Sequence, residues 1–152
     1  MEDQAIEILR KHGCLYMKDD YKELFKDLEL YYRGATPNID LTSEQINDLM
    51  VTALEGGINY WCGGICFKDG SLLPEQEYNY LSEVISLGGT LILEDLESDD
   101  TWELTKEKFL KGLEKTLELG NYNSVQELFD NHDAETVDVL IQYALFDEIV
   151  FG

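Results

Sequence analysis

The sequence predicts an α+β protein in which several helices pack on a small, mostly antiparallel sheet. Apolar residues recur at helical spacing in several separate segments, which is typical of helices with one buried face. Two apolar stretches, 90–96 and 101–104, flank the polar residues 98–100, and this pattern is typical of a β-hairpin. A length of 152 residues with 44% hydrophobic content suits one domain with an ordinary core.

Residues 1–40 are expected to form an N-terminal helical extension of a core domain that spans residues 41–152. Two helices are predicted in the extension, over residues 2–13 and from about residue 20 to Tyr32, because both stretches carry apolar residues at helical spacing. The extension holds 9 acidic and 6 basic residues, so its charge is nearly balanced.

The central corner, residues 49–64, is expected to join a core helix to the sheet in the middle of the fold. A capping-box signature at residues 42–45 begins the helix. We expect the double glycine 56–57 to end it in left-handed C-cap geometry. From Ile58 onward, apolar and polar residues alternate, which predicts a strand that continues to Phe67.

Four helices are predicted further along the chain. The apolar spacing places them over residues 75–87, 106–119, part of 121–131, and 134 to about 148. The double glycine 88–89 is expected to end the first of them. Thr105 and Asp133 stand directly before the second and the last helix, where their side chains are expected to act as N-caps.

Charge is the strongest signal in the composition. Asp and Glu number 32 against 11 Lys and Arg, which gives a net charge of −21. Such a field repels nucleic acid and anionic membranes, and it attracts basic protein surfaces. Residues 41–105 hold 13 acidic residues and a single basic residue, Lys68. We therefore expect a basic protein partner and no direct binding of nucleic acid or membrane.

The densest group of acids lies on the predicted hairpin, which we call the acidic hairpin. Its six carboxylates, with no base among them in the sequence, are Glu94, Asp95, Glu97, Asp99, Asp100 and Glu103. Neighbouring carboxylates on such elements stand roughly 5–7 Å apart, similar to successive phosphates of a nucleic acid. The group therefore predicts a surface that docks into a basic groove, with support from Glu75, Glu77 and Glu83. A calcium site, which the spacing does not favour, and a solvated loop are the alternatives.

A second candidate site is a pocket with an aromatic floor and polar walls. Asp138 and Gln142 share one face of the last helix, and a polar pair beside an apolar stripe needs partners. The residues expected to line the pocket are Glu55, Tyr60, Trp61, Asp133, Asp138 and Gln142. Such a pocket would suit a nucleotide or a nucleobase. The alternative is that these residues have structural roles, with Asp133 as a helix cap.

The cysteines and the start of the chain indicate a cytoplasmic protein with free thiols. The cysteines are odd in number, the start is acidic and lacks a secretory signal, and no apolar run reaches the roughly 18 residues of a membrane span. A zinc site or a thiol nucleophile built from Cys62, Cys66 and His132 is disfavoured, because zinc sites use tighter cysteine pairs and a fourth ligand. We expect no metal and no cofactor.

Two blocks of the sequence resemble a family of small phage and prophage proteins without an assigned activity. They are Ala53-Leu-Glu-Gly-Gly-Ile-Asn-Tyr-Trp61 and Asp133-Ala-Glu-Thr-Val-Asp-Val-Leu-Ile-Gln-Tyr-Ala-Leu-Phe146. The resemblance also takes in the stretch Leu91–Leu104 and covers residues 41–152. Asp147 departs from the family pattern, which has glycine there, and this change would lengthen the last helix or alter its cap.

A phage origin implies a role in overcoming host defence. Small, strongly acidic phage proteins are often inhibitors of defence nucleases, including anti-CRISPR and anti-restriction proteins that occupy DNA-binding grooves. We therefore expect a non-enzymatic, anti-CRISPR-like inhibitor, in the host bacterial cytoplasm, whose acidic surface mimics nucleic acid and blocks the basic groove of a host nuclease. The alternatives are a protein that binds or sequesters a nucleotide-type ligand in the predicted pocket and, with less support, an enzyme.

Overall fold

The computed structural model describes residues 41–152, and the helices predicted for residues 1–40 lie outside the described residues. Within residues 41–152 the protein has five α-helices and one three-stranded antiparallel sheet, which confirms the predicted α+β class. No helix in this part of the chain is long and apolar enough to cross a membrane.

The elements follow one another as helix, strand, helix, hairpin and three further helices. The helices are α1 (Ser43–Thr52), α2 (Ser82–Ser86), α3 (Lys106–Leu119), α4 (Val125–Asn131) and α5 (Ala134–Phe146). The strands are β1 (Cys62–Phe67), β2 (Leu91–Asp95) and β3 (Thr101–Leu104). The predicted helix over 106–119, the short helix within 121–131 and the hairpin are all confirmed.

The sheet has the strand order β1-β2-β3, and it buries one of its two faces. On β2, Leu91 and Leu93 are buried, whereas Glu94 is exposed. Leu93 lies opposite Trp102 on β3, and Glu94 lies opposite Thr101. These apolar residues of the two strands therefore share one face of the sheet, and these polar residues share the other. The apolar face therefore packs toward the core, and the acidic face of the hairpin turns toward solvent.

Helices α3 and α5 pack at very close range. Gly112 makes this possible, because a Cβ atom at this position would lie 2.5 Å from the carbonyl oxygen of Leu140 and 2.7 Å from the amide nitrogen of Ala144. Phe109 and Leu113, on either side of this glycine, are fully buried. The close contact fixes α5 against α3, while the other side of α5 meets the central corner.

The helix caps lie where the sequence predicted them. Thr42 accepts the N–H of Gln45 at 3.1 Å, and the Gln45 side chain accepts the N–H of Thr42, which completes the capping box. Thr105 and Asp133 cap α3 and α5. Gly88 follows α2 with a φ of 86°, a left-handed conformation that glycine adopts without strain.

The double glycine of the central corner does not end α1 in left-handed geometry, so this prediction is wrong. The chain instead passes from α1 into a π-helical turn, Ala53–Gly57. Gly57 is needed for space rather than for its dihedral angles, because a Cβ atom there would lie 3.1 Å from the carbonyl oxygen of Ala134 at the start of α5. The glycine therefore marks a tertiary contact between the corner and α5.

The strand predicted to begin at Ile58 begins instead at Cys62. Residues 58–61 form turns, in which the Ile58 carbonyl accepts the N–H of Trp61 at 3.2 Å and that of Cys62 at 2.9 Å. Ile58 and Trp61 are buried, whereas Tyr60 is half exposed. A spacing of three between buried residues belongs to a turn, and it replaces the alternation expected of a strand.

The helix predicted over residues 75–87 is wrong for most of its length, because only α2 is helical. The Gln76 side chain accepts the N–H of Leu73 at 3.0 Å and donates to a carbonyl at the end of α2 at 3.0 Å. The Glu83 carboxylate accepts the N–H groups of Asn79 and Tyr80 just before α2. These side-chain bonds give the backbone partners outside a helix, and they hold the segment in turns.

The last helix ends at Phe146, earlier than predicted. Asp147 takes the left-handed C-cap position with a φ of 60° and donates its N–H to the carbonyl of Tyr143. Its carboxylate lies 2.8 Å from the Nζ atom of Lys115 on α3. Aspartate at this position therefore takes the left-handed cap conformation typical of glycine, and it does not lengthen the helix.

Candidate functional site

A buried polar network joins the central corner to α5. The carboxylate of Asp138, a buried residue, accepts the Tyr60 hydroxyl at 2.7 Å and the Trp61 indole N–H at 2.7 Å. Gln142, one turn further along α5, donates its side-chain N–H to the same carboxylate at 3.1 Å. Neutral donors thus satisfy this buried carboxylate, as a buried charge without a cationic partner requires.

Gln142 also holds the C-terminal tail, residues 148–152, against α5. Its side chain is completely buried, and its Oε1 atom accepts the N–H groups of Val150 and Phe151, both at 2.8 Å. Its Nε2 atom donates to the Phe151 carbonyl at 3.0 Å, and the Tyr60 hydroxyl reaches the same carbonyl at 3.2 Å. One buried amide therefore pairs with the backbone of two consecutive tail residues.

Aromatic rings complete the seat of the tail. The Phe151 ring stacks on Trp61, with the ring centroids 4.9 Å apart and the planes nearly parallel at 2°. The rings of Trp102 and Phe146 meet this pair edge-on, with centroid distances from Phe151 of 6.1 Å and 5.8 Å. Such a cluster contributes dispersion and edge-to-face energy beyond area burial, so Phe151 attaches the tail to the edge of the core.

The network fixes the protonation of Tyr60. Burial of its hydroxyl, together with the hydrogen bond and the negative charge of Asp138, raises the pKa of Tyr60 to about 12. The hydroxyl therefore stays neutral and donates its proton to the carboxylate throughout the physiological range.

The structure brings together four of the six residues of the predicted pocket, namely Tyr60, Trp61, Asp138 and Gln142. Glu55 is exposed on the π-helical turn, outside the network, and its backbone carbonyl accepts the side-chain N–H of Asn59. Asp133 caps α5 through the N–H and hydroxyl of Thr136, and these bonds lower its pKa. Including Glu55 and Asp133 in one pocket was therefore wrong, and Phe151 fills the place of a ligand over Trp61.

The tail residues Val150 and Phe151 were missed because they follow the last helix and have no periodic pattern. A signal was available in the sequence. Asp138 and Gln142 lie within an apolar helix face, where each buried polar atom requires a partner. The short apolar segment Ile149–Phe151 directly after the helix was the nearest stretch able to return and supply backbone groups.

On the acidic hairpin, two of the six carboxylates have structural partners. Asp95 organises the hairpin loop by accepting the Ser98 hydroxyl at 2.5 Å and the N–H of Glu97 at 3.4 Å. Glu103 forms a salt bridge with Lys68 at 2.7 Å, and the hydrogen bond to this lysine lowers the pKa of Glu103. The sequence showed no base within the group, but the fold brings Lys68 to one end of it.

The other four carboxylates of the hairpin form what we call the outer acids. They are Glu94, Glu97, Asp99 and Asp100. All four are exposed, and within residues 41–152 none of them forms a salt bridge. The loop that carries three of them is anchored by the N–H of Leu96, which donates to the carbonyl of Trp61 at 2.8 Å.

The three supporting acids have different roles. Glu75 and Glu77 are exposed in the turns before α2, in a segment that was expected to be helical. Glu83 is half-buried, and its carboxylate accepts the N–H groups of Asn79 and Tyr80 in the turn before α2. Glu75 and Glu77 can therefore contribute to an acidic surface, whereas the carboxylate of Glu83 is used within the fold.

The residues weighed as metal ligands or as a nucleophile pair are not assembled. Cys62 is buried, and burial raises the pKa of its thiol, while Cys66 is exposed further along β1. His132 lies between α4 and α5, where its Nε2 atom is 3.3 Å from the hydroxyl of Thr52. Across residues 41–152, no group of three or more His, Cys, Asp or Glu side chains is placed to hold a metal ion.

A separate open cleft of about 290 Å³ lies between the end of α3 and the start of α5. Its lining residues are Thr116, Leu119, Gly120, Tyr122, Asp133, Glu135, Thr136, Val139 and Tyr143. Asp133 is the one residue of the predicted pocket that lines it, and the Asp133 carboxylate is already bonded to the start of α5. The cleft therefore does not restore the predicted nucleotide pocket.

No family model, curated protein or solved structure matches the chain. The resemblance to small phage and prophage proteins therefore stays a prediction. What the structure adds is that the two blocks behind that resemblance meet in one place, because Tyr60 and Trp61 of the first block bond to Asp138 of the second.

Proposed function

We propose that the protein is a non-enzymatic anti-defence inhibitor, encoded by a phage, that binds the basic nucleic-acid-binding groove of a host nuclease. The observation that carries the proposal is the set of outer acids, four exposed carboxylates on one anchored hairpin. A groove that binds phosphates is positively charged, so it attracts the negatively charged outer acids.

The charge around the hairpin supports the proposal. Residues 41–152 carry 23 acidic residues against 5 lysines, which gives a net charge of −18. Within these residues the salt bridges engage Lys68, Lys111 and Lys115; Lys68 lies against the hairpin at Glu103, and Lys108 donates to the Glu103 carbonyl at 2.8 Å, so both cations sit at one end of the hairpin, away from the outer acids of its loop. Because exposed pairs of this kind contribute little to stability, they leave the acidic field largely uncompensated.

The arrangement of the charges is also unfavourable for folding. No α-helix of the described part has a basic residue of its own in its last turn, and Lys115 of α3 supplies a cation at the end of α5 by donating to Asp147. Glu118 even places an acid near the end of α3. Stability alone does not account for so one-sided a distribution, whereas binding to a basic surface does.

The hairpin is suited to act without large rearrangement. Asp95 and Ser98 order its loop, the N–H of Asp95 bonds to the carbonyl of Asp100 at 2.9 Å, and Leu96 is tied to the central corner. A pre-ordered loop loses little conformational entropy on binding. The outer acids would therefore meet a basic groove as a fixed array and exclude the nucleic acid from it.

A nucleotide-binding role has less support. Phe151 already stacks on Trp61, and the amide of Gln142 is already paired with the tail. A nucleobase would have to displace both contacts. The carboxylate of Asp138, moreover, would repel the phosphate of a nucleotide.

The proposal is tested by a cleavage assay with a panel of purified CRISPR and restriction nucleases. Wild-type protein should inhibit at least one of them by competing with DNA. The double variant Asp99→Lys/Asp100→Lys should lose this inhibition. The control Glu114→Lys/Glu118→Lys makes the same charge change at exposed positions of α3, and this variant should inhibit the nuclease as wild type does. Equal inhibition by both double variants, or none by wild type, would count against the proposal.

A further inference from the structure

Three half-exposed apolar side chains stand on stretches of chain that bond to, or adjoin, the Trp61–Phe151 stack beside the acidic hairpin. Three large side chains are each about half exposed: Tyr60 at 50%, Leu96 at 54% and Val150 at 52%. They belong to three separate stretches of chain that meet at the Trp61–Phe151 stack. We call these three residues the tail patch.

Contacts within the fold hold the three residues beside that stack. The N–H of Leu96 donates to the Trp61 carbonyl at 2.8 Å, and the Tyr60 hydroxyl oxygen, whose proton is donated to Asp138, lies 3.2 Å from the Phe151 carbonyl oxygen. Val150 is fixed through its own N–H, which donates to Gln142 at 2.8 Å. The stretches that carry the three residues are therefore each hydrogen-bonded to the fold, although two of the residues lie in a loop and in the tail.

The buried network gives this patch its position. A completely buried glutamine and a buried carboxylate have a desolvation cost that their bonds to residues 150–151 and to the central corner must offset. The same tail could have been secured by apolar packing alone. The polar network bonds the backbone N–H of Val150, whose side chain is about half exposed, and a partner that covered this side chain would gain free energy from its burial.

Charge next to the patch indicates the kind of partner. Glu97, Asp99 and Asp100 follow Leu96 directly along the hairpin loop, and all three are exposed. An apolar centre with a charged rim is the usual anatomy of a protein interface. The complement of this surface is an aliphatic side chain surrounded by arginine or lysine.

We propose that the tail patch is the apolar centre of the partner interface, and that it receives an aliphatic side chain lying within a basic protein surface. The inference rests on the function proposed above and adds the position and chemistry of the anchoring contact. Tyr60, Leu96 and Val150 supply affinity and selectivity between basic surfaces, while the outer acids supply attraction and speed of association.

The experiment uses two synthetic peptides of equal length and equal arginine content as probes. One peptide carries leucines between the arginines, and the other carries serines. Fluorescence anisotropy gives the Kd of each for the full chain. We expect the leucine peptide to bind about tenfold more tightly, which is the order of effect of burying one aliphatic side chain.

Variants locate the difference on the surface. Leu96→Ser/Val150→Ser should remove the preference for the leucine peptide. Leu73→Ser/Leu119→Ser, at exposed leucines in other elements, should leave it unchanged. The wild-type comparison itself needs no variant, so a folding defect in either double variant would not obscure the result.

The outcomes separate the two proposals. If both peptides bind equally well, the acidic surface binds basic probes as proposed, and the tail patch is not an anchor. If the preference survives Leu96→Ser/Val150→Ser, the anchor lies elsewhere and the inference is overturned. If neither peptide binds, the function proposed above fails and the inference fails with it.

Discussion

Replacing Asp138 by alanine removes the acceptor on which the buried donors of Tyr60, Trp61 and Gln142 converge. The largest penalty falls on Trp61, which is only 2% exposed, because its indole N–H cannot reach water. An unpaired buried donor costs about 1–3 kcal/mol, and lost bonds to a charged acceptor add to this. Relief of the carboxylate's desolvation offsets part of the loss, and we expect a net destabilisation of about 3 kcal/mol.

Asp138→Asn is the conservative partner of this change. Asparagine keeps the side-chain volume of aspartate and one oxygen that can accept the Trp61 N–H. We therefore expect it to lower the free energy of unfolding by about half as much as alanine does, roughly 1–2 kcal/mol. Urea unfolding followed by tryptophan fluorescence measures both values, since Trp61 and Trp102 lie in the affected cluster. Glu114→Ala removes an exposed acid on α3 and should stay within about 0.5 kcal/mol of wild type. If Asp138→Ala is no worse than Glu114→Ala, the network does not hold the corner to α5.

Three further predictions concern titration, close packing and the tail. The pKa of Tyr60 is raised from 10.0 to about 12 in the folded protein. The stabilisation that the protonated hydroxyl gives to the folded state is therefore complete below pH 10 and is lost as the pH rises from 10 through 12. Urea unfolding between pH 10 and 12 should show a fall in the free energy of unfolding, and this fall should be smaller in Tyr60→Phe. Gly112→Ala should destabilise by about 1–3 kcal/mol through its clash with α5. Gly56→Ala, with open space around it, should be neutral or slightly stabilising in the same assay. Phe151→Ala should cost about 1–3 kcal/mol and change the fluorescence of Trp61, and an unchanged spectrum would contradict the stacking.

Local signals predicted the elements whose structure depends on local chemistry. The capping box at residues 42–45, the caps Thr105 and Asp133, and the polar turn between β2 and β3 all act within a few residues of chain. Gly88 likewise ends α2 through its own dihedral freedom. These features were predictable because the side chains that form them are neighbours in the sequence.

Predictions failed where distant contacts decide the structure. Gly57 looked like a helix terminator, but its role is to let α5 approach the corner. In the segment predicted as a helix over 75–87, the Gln76 side chain donates to the carbonyl of Leu87, eleven residues further on, and this bond holds the residues before α2 in turns. Glu103 looked unpaired because Lys68, directly after β1, is 35 residues away in the sequence, and only the fold brings the two together.

For the candidate site, the sequence predicted the chemistry better than the geometry. Asp138 and Gln142 were expected to need partners beside Tyr60 and Trp61, and they have them. The pattern held no information on what would fill the space over Trp61, because Phe151 arrives through a chain reversal that begins at the left-handed Asp147. The residues predicted to bind a ligand instead bind the tail of the same chain, through Phe151 on Trp61 and Val150 on Gln142.

The most direct test of the central claim is the salt dependence of affinity for an inhibited nuclease. The Kd of wild type and of Asp99→Lys/Asp100→Lys would be measured from about 0.05 M to about 0.5 M salt, a range over which screening becomes strong. We predict that wild-type binding weakens steeply with salt, and that the variant binds more weakly with a shallower dependence. An affinity that stays constant across this range, and is the same for both proteins, would contradict the claim that the outer acids occupy a basic groove.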